Sequence, residues 1–185
     1  TRSKIGFAPQ SLSLYGELTG AENLEFFGAL YGLAGQTLRE RVKWALQLAG
    51  LEDRSRHRVS TYSGGMKRRL NIAVALVHKP DMLLLDEPTS NLDISHQVST
   101  FSLIARLARE RGLCVLFVTH ELNLAAEFAD RVLLLRSGRA VSCGPPEEVY
   151  RADLLEEVFE TGLIVDTNPE TGAPRARAPP LGPVG

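Results

Sequence analysis

Three aliphatic runs constrain the fold of this chain more than any other feature: MLLLD at Met82–Asp86, CVLFVT at Cys114–Thr119 and RVLLLR at Arg131–Arg136. A strand with one wet face alternates apolar and polar residues, so near-continuous apolar runs predict strands covered on both faces, as in a parallel sheet. Between the first two runs, Val98, Phe101, Ala105 and Ala108 recur every three or four residues and predict a helix with one buried stripe. The repeated unit is strand, helix, strand, which places the chain in the α/β class.

The first third reads differently. Thr19 and Glu22 form a capping box ahead of a helix whose face carries Leu24, Phe27 and Tyr31 and which stops near Gly32. A second helix presents Leu38, Val42, Ala45 and Ala49 inward and stops at Gly50. No strong strand occurs between Gln10 and Asp81, so residues 12–78 are expected to form a helical subdomain inserted in the α/β core.

After Arg136, Ser137-Gly138 predicts a tight turn between Leu135 and a short strand at Arg139–Ser142, and GPPEEV predicts a small helix with proline in its first turn. The domain is expected to run over residues 1–167. From Asn168 to Gly185 the chain is rich in Pro, Gly, Ala and Arg, and a flexible or extended tail is expected.

A chain of 185 residues with 44% apolar content can bury one substantial core, and its net charge of −1 gives no electrostatic case for nucleic acid or an anionic membrane. Cys114 and Cys143 form no CxxC pair and lack a zinc-type histidine spacing, which points to a reduced, cytosolic setting. Cys114 reads as a small core residue. No apolar run approaches the length of about 20 residues that spans a bilayer.

The chemistry concentrates at two places. In LLLDEP, Asp86 and Glu87 stand where a buried parallel strand leaves the sheet, the edge at which open α/β sheets bind ligands. Asp86 is placed to hold Mg²⁺ and Glu87 to orient or deprotonate a water. A solvated acidic strand end is the plain alternative. In YSGGMKRRL, Ser63 is a favourable helix N-cap, and Gly64 and Gly65 let the first turn's N–H groups approach a phosphate. A simple Ser-Gly-Gly helix start is the plain alternative there. The cluster Lys67, Arg68, Arg69 reads as a solvated helix face, and His57, His78 and His96 as surface or loop residues.

Order makes these signals specific. Ser63-Gly64-Gly65, a helix-sized interval, Asp86-Glu87, SNLD at Ser90–Asp93, and a strand ending in His120 resemble the nucleotide-binding domain of ABC transporters, over nearly the whole chain to about Tyr150. The resemblance implies a P-loop NTPase-like cassette core that binds ATP and Mg²⁺. It implies roles for Gln10 in metal and water coordination, Ser63, Gly64 and Gly65 as the signature that contacts a nucleotide held by an opposing cassette, and Asp86 as a metal ligand. Glu87 is implied as the catalytic carboxylate, Ser90 and Asp93 as the loop between paired sites, and His120 as the histidine on the γ-phosphate. Tyr62, Met66 and Asn91 stand where leucine, glutamine and alanine are commoner in the family.

The same resemblance implies a head-to-tail partner cassette, a transmembrane permease, no nucleic acid, and a cytoplasmic location peripheral to the membrane. The family's GxxxxGK[ST] is not found, because the 185 residues contain no GK dipeptide. A cassette lacking its N-terminal part, inactive alone and with an exposed apolar sheet surface, is therefore expected. Residues 9–33 with YSGGMKRRL are similar to exporter subunits, whereas TSNLDISHQ, HELNLAAEFADRVLLLRSGRAVSCGPPEEV and NPETGAP are similar to importers of iron chelates, haem or cobalamin. Two other readings stand beside transport: a cassette ATPase without a membrane partner, and a non-catalytic cassette that only binds a partner.

Overall fold

The run MLLLD forms β2 (Met82–Asp86), the centre of a parallel sheet in which β1 (Ile5–Ala8) and β3 (Cys114–Val118) flank it, in a computed structural model that describes residues 4–180. Ile5 pairs with Met82 and Met82 with Cys114, so one face carries Ile5, Phe7, Leu84, Leu116 and Val118 and the other Ala8, Leu83, Leu85 and Phe117. Two helices cover the second face. α3 (Gly64–Leu76) contributes Ile72, Ala75 and Leu76, and α4 (Ile94–Arg111) contributes Leu103, Ile104 and Leu107.

The first face remains exposed: Phe7 is 51%, Leu116 53% and Val118 55% accessible. The expectation of cover on both faces is met on one only, because both packed helices lie on the same side. The α4 stripe is also turned from its predicted register. Phe101 is buried as expected, but its companions are Thr100, Leu103, Ile104 and Leu107, while Val98 is exposed.

α1 (Gly20–Leu30) begins with the expected capping box: Glu22 N–H donates to Thr19 Oγ1 at 3.2 Å, and Thr19 N–H to Glu22 Oε2 at 2.7 Å. α2 (Gly35–Ala49) ends at Gly50 in the left-handed conformation, φ 61°. Leu24, Val42, Ala45 and Ala49 pack on Leu70, Ala73, Val74 and Val77. Helix α3 is therefore buried continuously from Leu70 to Leu76, because it is core to the helices on one side and to the sheet on the other.

The compact units divide between Thr119 and His120, not at Asn168 where composition shifts. RVLLLR does not join the parallel sheet. It forms β4 (Val132–Arg136), antiparallel to β5 (Arg139–Gly144) through Ser137 and Gly138, both at positive φ. The second unit also holds α5 (Leu122–Phe128), α6 (Pro146–Val149) and α7 (Ala152–Phe159). Leu134, Val149, Tyr150 and Leu155 are buried together in its core.

The expected tail is structured over much of its described length. β7 (Pro174–Arg177) pairs antiparallel with β6 (Ile164–Thr167), and Asp166 accepts from Arg175 Nε at 2.8 Å and Arg177 Nε at 2.9 Å. Ala176 is buried in the core of this unit. Composition alone does not show this pairing, in which alternate residues of a short arginine-rich strand share one acid.

Candidate functional site

Residue Arg68 organises the site, although its two basic neighbours make it read as solvated. It is 4% exposed, and its guanidinium reaches five backbone carbonyls: Pro88 at 2.7 Å, Pro9 at 2.7 Å, Gln10 at 3.4 Å, Asp86 at 2.8 Å and Glu87 at 2.7 Å. Burial lowers its pKa, and the Asp86 and Glu87 charges oppose that shift. One side chain of α3 thus ties the loop after β1 to the exit of β2. The signal for it was present: Gly65, Arg68, Ile72 and Ala75 repeat at spacings of three and four, all buried.

Asp86 ends β2, and its partner across the sheet is Val118. Glu87 follows at φ 45°, an uncommon conformation for a residue with a Cβ, and its N–H donates to Val118 O at 3.0 Å. The chain bends sharply there, which separates the directions open to two adjacent carboxylates. Gln10 Nε2 donates to Ser90 Oγ at 3.4 Å, bringing the loop after β1 to the segment after β2. Gln10, Asp86, Glu87 and Ser90 thereby share one end of the sheet.

Ser63 caps α3, its Oγ accepting from Met66 N–H at 3.3 Å. Gly65 packs against the imidazole of His96, leaving no room for a Cβ, and Gly64 faces Leu92. His96 is not a simple surface residue, as its neighbours had suggested. Its Nδ1 lies 2.8 Å from Asp93 Oδ2, and its N–H donates to Asp93 Oδ1 at 3.0 Å. Those bonds and one from Ser95 Oγ hold the Asp93 pKa down to about 2. The Ser-Gly-Gly turn and the Ser90–Asp93 segment are consequently joined within one chain.

Two departures at these motifs have local causes. Asn91 lies at φ 61°, where asparagine is better tolerated than alanine. Tyr62 is buried, donates its hydroxyl to Arg54 O at 2.7 Å, and packs where Gly20 offers no side chain. Arg69 is also more than a solvated cation, because it donates to Ala49 O at 2.8 Å at the end of α2. His78 is half-buried and stacks on Tyr31, with ring centroids 3.7 Å apart. Burial lowers its pKa.

His120 opens the second unit, two residues beyond β3, with Nε2 3.6 Å from Glu121 Oε1. It lies outside the unit that holds the other candidates. Among the described residues no group of three His, Cys, Asp or Glu side chains could hold a metal. The oxygens of Asp86, Gln10 and Ser90 suit a hard cation, and Mg²⁺ commonly takes one or two carboxylates together with substrate phosphates. Their chemistry therefore fits Mg²⁺ only as a partner of a bound phosphate.

A family model described as ABC transporter matches residues 1–90. The hemin import ATP-binding protein of Aliivibrio fischeri is 34% identical over 175 residues, covering 92% of this chain and 67% of that protein. The linearmycin resistance ATP-binding protein of Bacillus subtilis is 36% identical over 143 residues, covering 77% of this chain and 46% of that one. The chain spans about half the length of the first curated relatives it matches, at 46%, 54% and 50%. A dimeric ATP-binding cassette in a post-hydrolysis state with ADP and Pi superposes with TM-score 0.68 at 33% identity, covering 78% of this chain and 63% of that one. An inward-facing metal-chelate type ABC transporter superposes with TM-score 0.85 over 94% of this chain and 72% of its own, a likeness of fold at 24% identity.

Proposed function

We propose a function from one premise: this chain belongs to the ABC transporter ATP-binding family. The chain is part of the ATP-hydrolysing subunit of a transporter, and its residues supply the signature and hydrolytic portion of the nucleotide site. The observation that carries this reading is the convergence of Gln10, Asp86, Glu87 and Ser90 at one end of the sheet, with Arg68 joining the backbones of Gln10, Asp86 and Glu87 to the helix headed by Ser63-Gly64-Gly65.

In this reading Asp86 and Gln10 hold Mg²⁺ against the nucleotide phosphates, and the ion when bound neutralises charge on the phosphate oxygens. Glu87 accepts a proton from the attacking water. His120 donates a hydrogen bond to the γ-phosphate. Ser63, Gly64 and Gly65 present a hydroxyl and the N–H groups of a helix start to a nucleotide on an opposing cassette, with Ser90 and Asp93 at the junction. The two nucleotides lie between paired cassettes.

The partners are a second cassette and a permease, which would hold the chain at the cytoplasmic membrane face. Among the described residues no helix is long and apolar enough to cross a membrane. Tyr15, Phe26 and Phe27 support the permease contact, since they form an edge-to-face cluster with Tyr15 50% and Phe26 40% exposed. The cargo class stays with the two kinds of relative, Nod factor export on one side and hemin and iron(3+)-hydroxamate import on the other.

The residues contain no GxxxxGK[ST] segment, so the chain alone is proposed to be inactive. The test is tagged purification from native membranes, with phosphate release measured on the complex and on the chain alone. A polytopic membrane protein should co-purify, and Glu87→Gln should lower Mg²⁺-dependent turnover of the complex by at least about 100-fold. A complex without permease or turnover would overturn the transport reading. Turnover by the chain alone, lost in Glu87→Gln, would overturn only its dependence on a partner.

A further inference from the structure

Within the first unit a cavity of about 340 Å³ lies where β2 and β3 begin, the end of the sheet opposite Asp86. Leu76, Leu107 and Leu113 supply apolar lining, and Arg41, Lys79 and Arg111 line it with positive charge. Trp44 follows Arg41 by three residues on α2, and both arginines approach its indole: the Arg41 guanidinium carbon is 3.9 Å from its centroid and that of Arg111, from α4, 4.6 Å. Asp81 is the acid in the lining, and it lies 3.5 Å from Lys4.

Two causes for these cations are already met without a ligand. Arg41 donates to Val77 O at 2.8 Å and Leu76 O at 2.9 Å, closing the end of α3, and Arg111 stands in the last turn of α4, where the helix dipole favours a cation. Helical spacing places Arg41 over Trp44, but neither cause requires Arg111 of α4 to converge on the same half-buried indole beside the cavity. Arg41 loses solvation there and faces a like charge: burial first, and then the Arg111 charge, lowers its pKa. Among the described residues no carboxylate forms an ion pair with either arginine. An anion seated between them would relieve that repulsion, and the leucines would cover an apolar body attached to it.

We propose that this cavity binds a small organic carboxylate, its carboxyl group held by Arg41 and Arg111 over Trp44 and its apolar body resting on Leu76, Leu107 and Leu113. The site is independent of nucleotide chemistry. It adjoins the end of α3 remote from Ser63, so an occupant would touch the same helix that carries the signature.

Trp44 is the only tryptophan in the chain, so its fluorescence reads the cavity directly. The experiment titrates the full chain with benzoate, with its neutral isostere benzamide, and with inorganic phosphate, at constant ionic strength. Benzoate should change the emission saturably with a midpoint on the order of 1 mM, and benzamide should not. Arg111→Gln should raise the benzoate midpoint at least about tenfold, and Arg111→Lys by less, because lysine keeps the charge but not the two-pronged geometry. Arg111 is exposed at a helix end, and an unchanged circular dichroism spectrum would show both variants folded. No saturable response to benzoate, an equal response to benzamide, or an unshifted Arg111→Gln midpoint would overturn the proposal. Saturation by phosphate without benzoate would also overturn it, showing a bare anion site.

Discussion

The units on either side of Thr119 hold their chain segments together by different physics. In the first, a buried guanidinium joins two loops through five backbone carbonyls, and α3 is packed on two sides by apolar side chains. In the second, short hairpins and helices surround a small core, and much of the polar bonding is exposed or half-buried: Arg136 with Glu160 and Arg177 with Asp166 exposed, Arg175 with Asp166 and Asn168 with Glu127 half-buried. Removing a partner from the first kind leaves buried groups unsatisfied, whereas water replaces a lost partner in the second. The first arrangement suits a site whose backbone must stay in place.

The largest expected effect tests that contrast directly. Arg68→Met keeps much of the volume and strands several carbonyls, and should cost about 4 kcal/mol in urea unfolding followed by Trp44 fluorescence. A loss below about 1 kcal/mol would break the comparison. Next, Leu155→Ala removes a fully buried side chain from the second unit and should cost about 3 kcal/mol. Hydrogen exchange should place that loss in residues 120–180. Equal loss of protection in residues 4–119 would show that the units unfold as one.

A smaller effect is expected at the Ser-Gly-Gly turn. Gly65→Ala forces the new methyl against His96 and should cost about 2 kcal/mol, with at least half recovered in a Gly65→Ala, His96→Ala double variant. Absence of recovery would separate the turn from the Asp93 segment. Acid should weaken one polar element in each unit. Asp93 and Asp166 both have folded pKa values held down to about 2 by their hydrogen bonds, so their stabilisation is present above about pH 4 and is lost as pH falls through about 2. Exchange at the start of α4 and across β6–β7 should therefore rise in that window, and Asp166→Asn should remove only the second response. The smallest effect belongs to Arg136→Gln. Its ion pair is exposed, and its loss should change stability by no more than about 0.5 kcal/mol.

Motif residues were legible because their chemistry depends on chain-local order. Asp86 and Glu87 at the end of an aliphatic run, and Ser63 ahead of two glycines, announce themselves without a partner in space. Arg68 and His96 did not, because their roles consist of contacts with segments distant in sequence or with a motif that must first be placed. For RVLLLR the strand and the turn into its neighbour were legible and the parallel-sheet setting was not, because aliphatic content reports a tendency to be strand but not which sheet it joins. Ser137-Gly138 favoured a hairpin, and the pairing with Arg139–Gly144 followed.

Local order along the chain carries the α/β class, the capping box of α1, the stop at Gly50, the strand ending at Asp86, and the order of motifs that identifies the family. Each depends on local backbone preference, apolar patterning, or residue identity in a row. Packing between distant segments sets the rest: that both packed helices lie on one face of the sheet, that Arg68 meets five backbone carbonyls, that Gly65 rests on His96, and that Arg41 and Arg111 converge on Trp44. Those outcomes depend on which distant segments meet, and contact energies between distant segments are not encoded in any single window of residues.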